Sequence, residues 1–150
     1  MKVKVMAIGN ILMEDDGVAI VVLEKITQNL TKNNIEVIIG ETDFEYCISL
    51  IEEEDFIFFI DAAYYGKNPG ELTINSLAKY QYRKKYCTQH SYNVIDLIKS
   101  YYKTVNGYII GIEVGKVSFK FGLSKEIQEN INIISKNVFK EIISRLPCEI

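Results

Sequence analysis

The run Phe56-Ile57-Phe58-Phe59-Ile60 constrains this chain more than any other feature. Five apolar residues of strand length, without alternation, read as a strand covered on both faces, as at the centre of a parallel sheet. The run ends abruptly at Asp61. A carboxylate in that place either meets solvent at a cleft or needs a partner, because burying it unpaired is costly. Asp61 is therefore the first functional candidate.

Around this strand the chain alternates between the two regular patterns. Residues 3–8 are short, apolar and β-prone, and Gly9-Asn10 ends them. From about Gly17, Ala19, Val22, Leu23, Ile26 and Leu30 recur at helical spacing, and Asp15 or Asp16 is placed to cap that helix. Asn33-Asn34 precedes a second strand, Ile35 to Ile39, and a short helix is expected near Tyr46–Glu53. Asn68-Pro69-Gly70 is a turn signal before an edge strand at Glu71–Ile74. Residues 75–90 are polar and tyrosine-rich, with no periodicity. A third helix follows, with Val94, Leu97, Ile98 and Tyr101 on one face and Ser91 as its cap. Tyr108–Ile110 reads as another strand and Val117–Phe121 as a loop or short strand. Ile127, Ile131, Ile134, Val138 and Ile142 form the stripe of a long final helix, with Ser124 near its start. This order predicts one α/β domain over residues 1–150, an open, mostly parallel twisted sheet of about five strands with helices on both faces. Ligands in such folds gather at the carboxyl ends of the strands.

Composition narrows the function. The chain has 150 residues, enough to bury a core without staples, and its net charge of −3 gives no electrostatic reason to expect nucleic acid. The basic cluster Arg83-Lys84-Lys85 is short and reads as a solvated loop. Cys47, Cys87 and Cys148 make no CxxC pair, which argues against a structural zinc site or disulfide framework and for a reduced, cytoplasmic protein. Cys87 lies three residues before the sole histidine, and reads first as a small, partly buried side chain. The apolar run after Lys2 and Lys4 is interrupted by Gly9-Asn10 and followed by Glu14-Asp15-Asp16, so no secretion signal is expected. No stretch approaches the roughly 20 apolar residues that membrane insertion requires.

Three residues occupy the predicted strand-to-helix loops: Asp16 after the first strand, Asp61 after the central one, and His90 before the third helix. In a parallel sheet these loops share one edge, so the side chains can converge. Each has a plain alternative: Asp16 as a helix cap, Asp61 as a partnered carboxylate, His90 as a structural histidine. Together they offer two oxygens and one imidazole nitrogen, a set suited to a divalent transition ion such as nickel or zinc with positions left open. The glycine spacing of a dinucleotide site, a GxxxxGK[ST] loop and a GxSxG elbow are all missing. A paired-carboxylate hydrolase using Glu14, Asp15, Asp16 and Asp61 stays open.

The segment Ile8-Gly9-Asn10-Ile11-Leu12-Met13-Glu14-Asp15-Asp16-Gly17-Val18 resembles the N-terminal signature of the nickel–iron hydrogenase maturation endopeptidases. Phe58–Ala63, Asn68–Leu72, Thr88-Gln89-His90, Ile110–Glu113 and Phe121–Ser124 agree with that family's pattern in order and spacing. The resemblance implies a peptidase that removes the C-terminal extension of a hydrogenase large-subunit precursor after nickel insertion. It carries the family's metal-contacting and catalytic positions onto Asp16, Asp61 and His90. On this reading nickel is recognised in the substrate, and no permanently bound cofactor is expected. Either the ion polarises the scissile carbonyl or a carboxylate activates a water; both suit the ligand set. Ala7 and Ala19 stand where the family commonly has glycine, and Gly40-Glu41-Thr42-Asp43-Phe44 departs from its glycine-rich pattern, adding the Glu41 charge near the expected cleft. The rival expectation is a non-catalytic metal-sensing or maturation chaperone module on the same fold. A small-ligand α/β domain is a further one, disfavoured by the missing glycine motif.

Overall fold

The computed structural model describes residues 1–78 and 105–148. The basic cluster, Cys87, His90 and the expected third helix with its Ser91 cap lie outside the described residues. Five strands form one sheet: β1 (Val3–Ile8), β2 (Glu36–Glu41), β3 (Phe56–Ala63), β4 (Leu72–Ser76) and β5 (Asn106–Glu113). Their order is β2-β1-β3-β5-β4. All neighbouring pairs are parallel except β4 with β5, which are antiparallel, so β4 closes one edge as its turn signal implied.

The apolar run behaves as its composition requires. In the centre of the sheet, β3 has Phe58, Ile60 and Ala62 in one hydrophobic cluster and Ile57 and Phe59 in the other. β1 divides the same way, with Val3, Val5 and Ala7 on one face and Met6 and Ile8 on the opposite one. The alternating direction of strand side chains thus feeds two cores from sequences that show no alternation.

Helix α1 (Val18–Lys32) and helix α3 (Lys125–Ser144) cover the first face. Their buried residues include both stripes expected from periodicity: Ala19, Val22, Leu23, Ile26 and Leu30 on α1, and Ile127, Ile131, Ile134, Val138 and Ile142 on α3. Helix α2 (Phe44–Ser49) lies on the other face, where Cys47 joins Met6, Ile38 and Phe59. It is shorter than the expected Tyr46–Glu53 segment and begins earlier, because the Asp43 carboxylate accepts the Tyr46 backbone N–H at 2.9 Å and fixes its start. Burial, then the neighbouring Asp43 charge, pushes the Cys47 thiol up to about 11, so this is an unreactive packing residue.

Four strands run further than expected. β2 continues to Glu41, β3 passes Asp61 to end at Ala63, β4 goes on to Ser76, and β5 reaches Glu113. The paired partners supply the reason: Asp61, Ala62 and Ala63 pair with Gly111, Ile112 and Glu113, an extension neither strand could declare alone.

Candidate active site

The chain leaving β1 doubles back on itself before α1 begins. Gly9 adopts φ +151°, and a Cβ there would stand 2.2 Å from the Asp16 carbonyl oxygen. A Cβ on Gly17 would stand 2.8 Å from Ile11 Cα. Glycine at both positions lets the loop close into a 3-10 turn over Glu14–Gly17, which packs against β3. The turn brings Glu14, Asp15 and Asp16 to the carboxyl edge of the sheet, all buried.

Buried carboxylates require donors, and here each finds different ones. Asp15 does not cap α1, whose capping position is taken by Gly17 with no side-chain cap bond. Instead its Oδ2 accepts from the backbone N–H of Gly115 (2.9 Å) and Lys116 (2.7 Å) and from the Ser124 hydroxyl (2.7 Å). Its Oδ1 accepts from the Ser124 N–H at 2.7 Å. Ser124, at the start of α3, therefore spends its hydroxyl on Asp15 and makes no cap bond of its own. Glu14 accepts from the Ser118 hydroxyl at 2.7 Å. Together these bonds tie the loop after β5, and the start of α3, to the turn after β1.

Asp16 is not a cap either. Its Oδ2 accepts the Asn10 N–H at 2.9 Å and its Oδ1 accepts the Tyr64 hydroxyl at 2.6 Å. Asp61 is fully buried inside β3, near its carboxyl end, and its Oδ1 accepts the Ala62 N–H at 2.8 Å. Tyr64 feels the charges of three carboxylates at this edge. Burial raises its phenol pKa first, the hydrogen bond to Asp16 adds to that, and the charges of Asp16, Asp61 and Asp15 push in the same direction. The phenol therefore stays a donor. Through its bond to Tyr64, Asp16 thus sits beside the end of β3, the strand that carries Asp61. His90, the third expected member, lies outside the described residues. Among the described residues, no group of three or more His, Cys, Asp or Glu side chains is arranged to hold a metal ion. The oxygen donors present fit two of three positions in a hard-to-borderline ligand set.

Sequence reasoning passed over two residues of this edge. Glu113 closes β5 much as Asp61 nearly closes β3, and it is buried, with both carboxylate oxygens accepting the Tyr65 N–H at 3.0 and 3.1 Å. The signal that singled out Asp61, a carboxylate after an apolar strand, was present in Ile109–Glu113 too. Tyr64 had no such signal; its role depends on where the backbone turns after β3.

Beside the turn runs a groove of about 250 Å³ whose lining includes Ile11, Ile20 and Leu123. Glu14, Glu24 and Glu41 also line it. Glu41 holds φ +51°, a left-handed conformation uncommon outside glycine. The departure noted at Gly40-Glu41 therefore sets a carboxylate on this groove.

An open, mostly parallel sheet with buried acidic residues at its carboxyl edge defines an α/β protein, and that edge is where such folds gather ligands. A family model described as hydrogenase maturation protease (HycI) matches residues 20–141. The chain belongs to the hydrogenase maturation protease family. Its fold is similar to the hydrogenase maturating endopeptidase HybD of Escherichia coli, with TM-score 0.75 and 16% identity over 96% of this chain and 93% of that one. It is also similar to a [NiFe] hydrogenase maturation protease HybD from Thermococcus kodakarensis, with TM-score 0.70 and 24% identity over 93% and 98% of the two chains. A hydrogenase expression/formation protein, HupD of Bradyrhizobium diazoefficiens, is 31% identical over 74 residues. That match covers 49% of this chain and 38% of the relative's length.

Proposed function

We propose that this protein is an endopeptidase that removes the C-terminal extension of a nickel-loaded [NiFe] hydrogenase large-subunit precursor. Asp16, Asp61 and His90 contact the nickel that the precursor already holds. The observation that carries this reading is the buried Asp16 carboxylate held by the hydroxyl of Tyr64, which directly follows the strand carrying the buried Asp61, at the carboxyl edge of the sheet. Family membership supports it by supplying the class of reaction.

The chemistry follows from the donor set. Two carboxylate oxygens and an imidazole leave open positions on a divalent ion, which suits an ion whose other ligands belong to the substrate. Docking would bring the ion and the adjoining peptide bond to this edge together, so only a loaded precursor completes the site. The peptide bond is then hydrolysed: water adds to the scissile carbonyl, the C–N bond breaks, and the leaving amine takes a proton. Asp16 and Asp61 have two parts to play, holding the ion and accepting a proton from the attacking water. No permanently bound cofactor is required. The cytoplasm is the compartment proposed, in keeping with three cysteines that form no CxxC pair.

The test is cleavage of nickel-loaded and nickel-free precursor, followed by mass spectrometry of the extension. Loaded precursor is expected to be shortened and nickel-free precursor to stay intact, with Asp16→Asn and Asp61→Asn losing the activity while remaining folded. A loaded precursor left full-length by wild-type protein overturns the peptidase reading and favours a non-catalytic metal-sensing or chaperone role.

A further inference from the structure

We infer that Tyr64 is a positioning residue that sets the orientation of the Asp16 carboxylate toward the substrate-held ion. This rests on the proposed role of Asp16. The terminal torsion of an aspartate is broad and roughly two-fold, so the backbone alone does not fix where its oxygens point. Here two donors act on opposite oxygens: the Asn10 N–H on Oδ2 at 2.9 Å and the Tyr64 hydroxyl on Oδ1 at 2.6 Å. One donor would leave the carboxylate free to swing about that bond; two on different atoms remove the freedom. Each carboxylate oxygen carries a second lone pair, so neither bond prevents Asp16 from ligating a cation.

The support behind Tyr64 is bonded to the sheet on both sides. The residue before it, Ala63, accepts the Val114 N–H through its carbonyl at 3.1 Å. The residue after it, Tyr65, donates its N–H to the buried Glu113 carboxylate. Both flanking bonds run to the end of β5, so the phenol is held from the sheet rather than from a free loop. This arrangement assigns Glu113 a purpose too, as the anchor of the segment that presents Tyr64. Groups that orient a metal's ligands typically alter ion affinity or activity 10–100-fold when removed.

Tyr64→Phe deletes one oxygen and keeps the ring. Cadmium ion alone serves as the calorimetric probe, with wild type, Asp16→Asn and Tyr64→Phe compared alongside cleavage of nickel-loaded precursor. Tyr64→Phe is expected to weaken cadmium binding about 10-fold or more. It should lower kcat by a similar factor at unchanged KM, because the precursor still docks. Site-specific 3-fluorotyrosine at position 64, which keeps the hydroxyl and the shape, is expected to restore both. Wild-type affinity and kcat in Tyr64→Phe overturn the inference while leaving the Asp16 reading intact. A Tyr64→Phe protein that fails to fold also overturns it, since the hydroxyl would then be a fold determinant. Undiminished cadmium binding and cleavage in Asp16→Asn instead remove the Asp16 reading, and the inference falls with it.

Discussion

Asp15→Asn offers a sharp test of how this edge of the sheet is built, because the substitution changes charge and hydrogen-bond sense without changing size. The carboxylate is fully buried and accepts four bonds, three on Oδ2 and one on Oδ1. An asparagine replaces one acceptor by an NH2 that can only donate. Its better orientation keeps oxygen at the Oδ2 position and turns the NH2 against the Ser124 N–H. That loses a charge-assisted bond, about 1.5–3 kcal/mol. The three surviving bonds become neutral, and neutral bonds are roughly half as strong as ionised ones. Together these place the loss at about 3–5 kcal/mol, a large part of the 5–15 kcal/mol that holds a typical domain. Equilibrium urea denaturation should show a lower midpoint at unchanged slope, and the melting temperature should fall by about 10 °C or more. Ser124→Ala removes only the hydroxyl donor and should cost about 1–2 kcal/mol. A loss below about 1 kcal/mol in Asp15→Asn would refute the claim that this carboxylate clamps the loop after β5 to the turn after β1. So would a Ser124→Ala penalty as large as that of Asp15→Asn.

Two further outcomes follow from the same structure. Gly9→Ala would set a Cβ 2.2 Å from the Asp16 carbonyl oxygen at φ +151°, so a loss of about 3 kcal/mol or more is expected in thermal unfolding, with cleavage activity lost as the turn shifts; a fully stable, active variant would contradict the close approach. The second concerns the buried Lys4–Asp55 pair at 2.6 Å. Burial alone would raise the Asp55 pKa, but the bond from Lys4, the Glu52 N–H, the Lys4 charge and the Lys2 N–H outweigh it and lower it. A depressed folded-state pKa stabilises the fold above the unfolded value, near pH 4, and that contribution is lost as pH falls through the folded value. Urea midpoints measured from pH 7 down to pH 2 should therefore drop in wild type more steeply than in Asp55→Asn; parallel curves would refute the coupling.

Periodicity and run length carried most of the architecture. The helical stripes of α1 and α3 and the double-sided run of β3 are local patterns, since burying one face of a helix or both faces of a strand leaves its mark on consecutive residues. Asp61 was legible for the same reason: a charge at the end of an apolar run stands out. Asp16 was legible as a carboxylate in the first loop, but its partners were not. Local reasoning made Asp15 or Asp16 a helix cap, which is what an acidic residue before a helix usually is. The fold instead brings Ser124 and the residues after β5 to Asp15, and Tyr64 to Asp16, from far along the chain.

The sequence by itself therefore determined the class of sheet, the faces of its helices, and, through the resemblance of its loop segments, the family. Tertiary structure alone decided the ends of β3 and β5, because extension past Asp61 depends on each strand's pairing with the other. It also decided what each acidic residue of the first loop holds. Asp15 and Asp16 are adjacent and chemically identical. One accepts four bonds that hold a loop, and the other accepts the Asn10 N–H and a phenol; only the surroundings assembled by folding tell them apart.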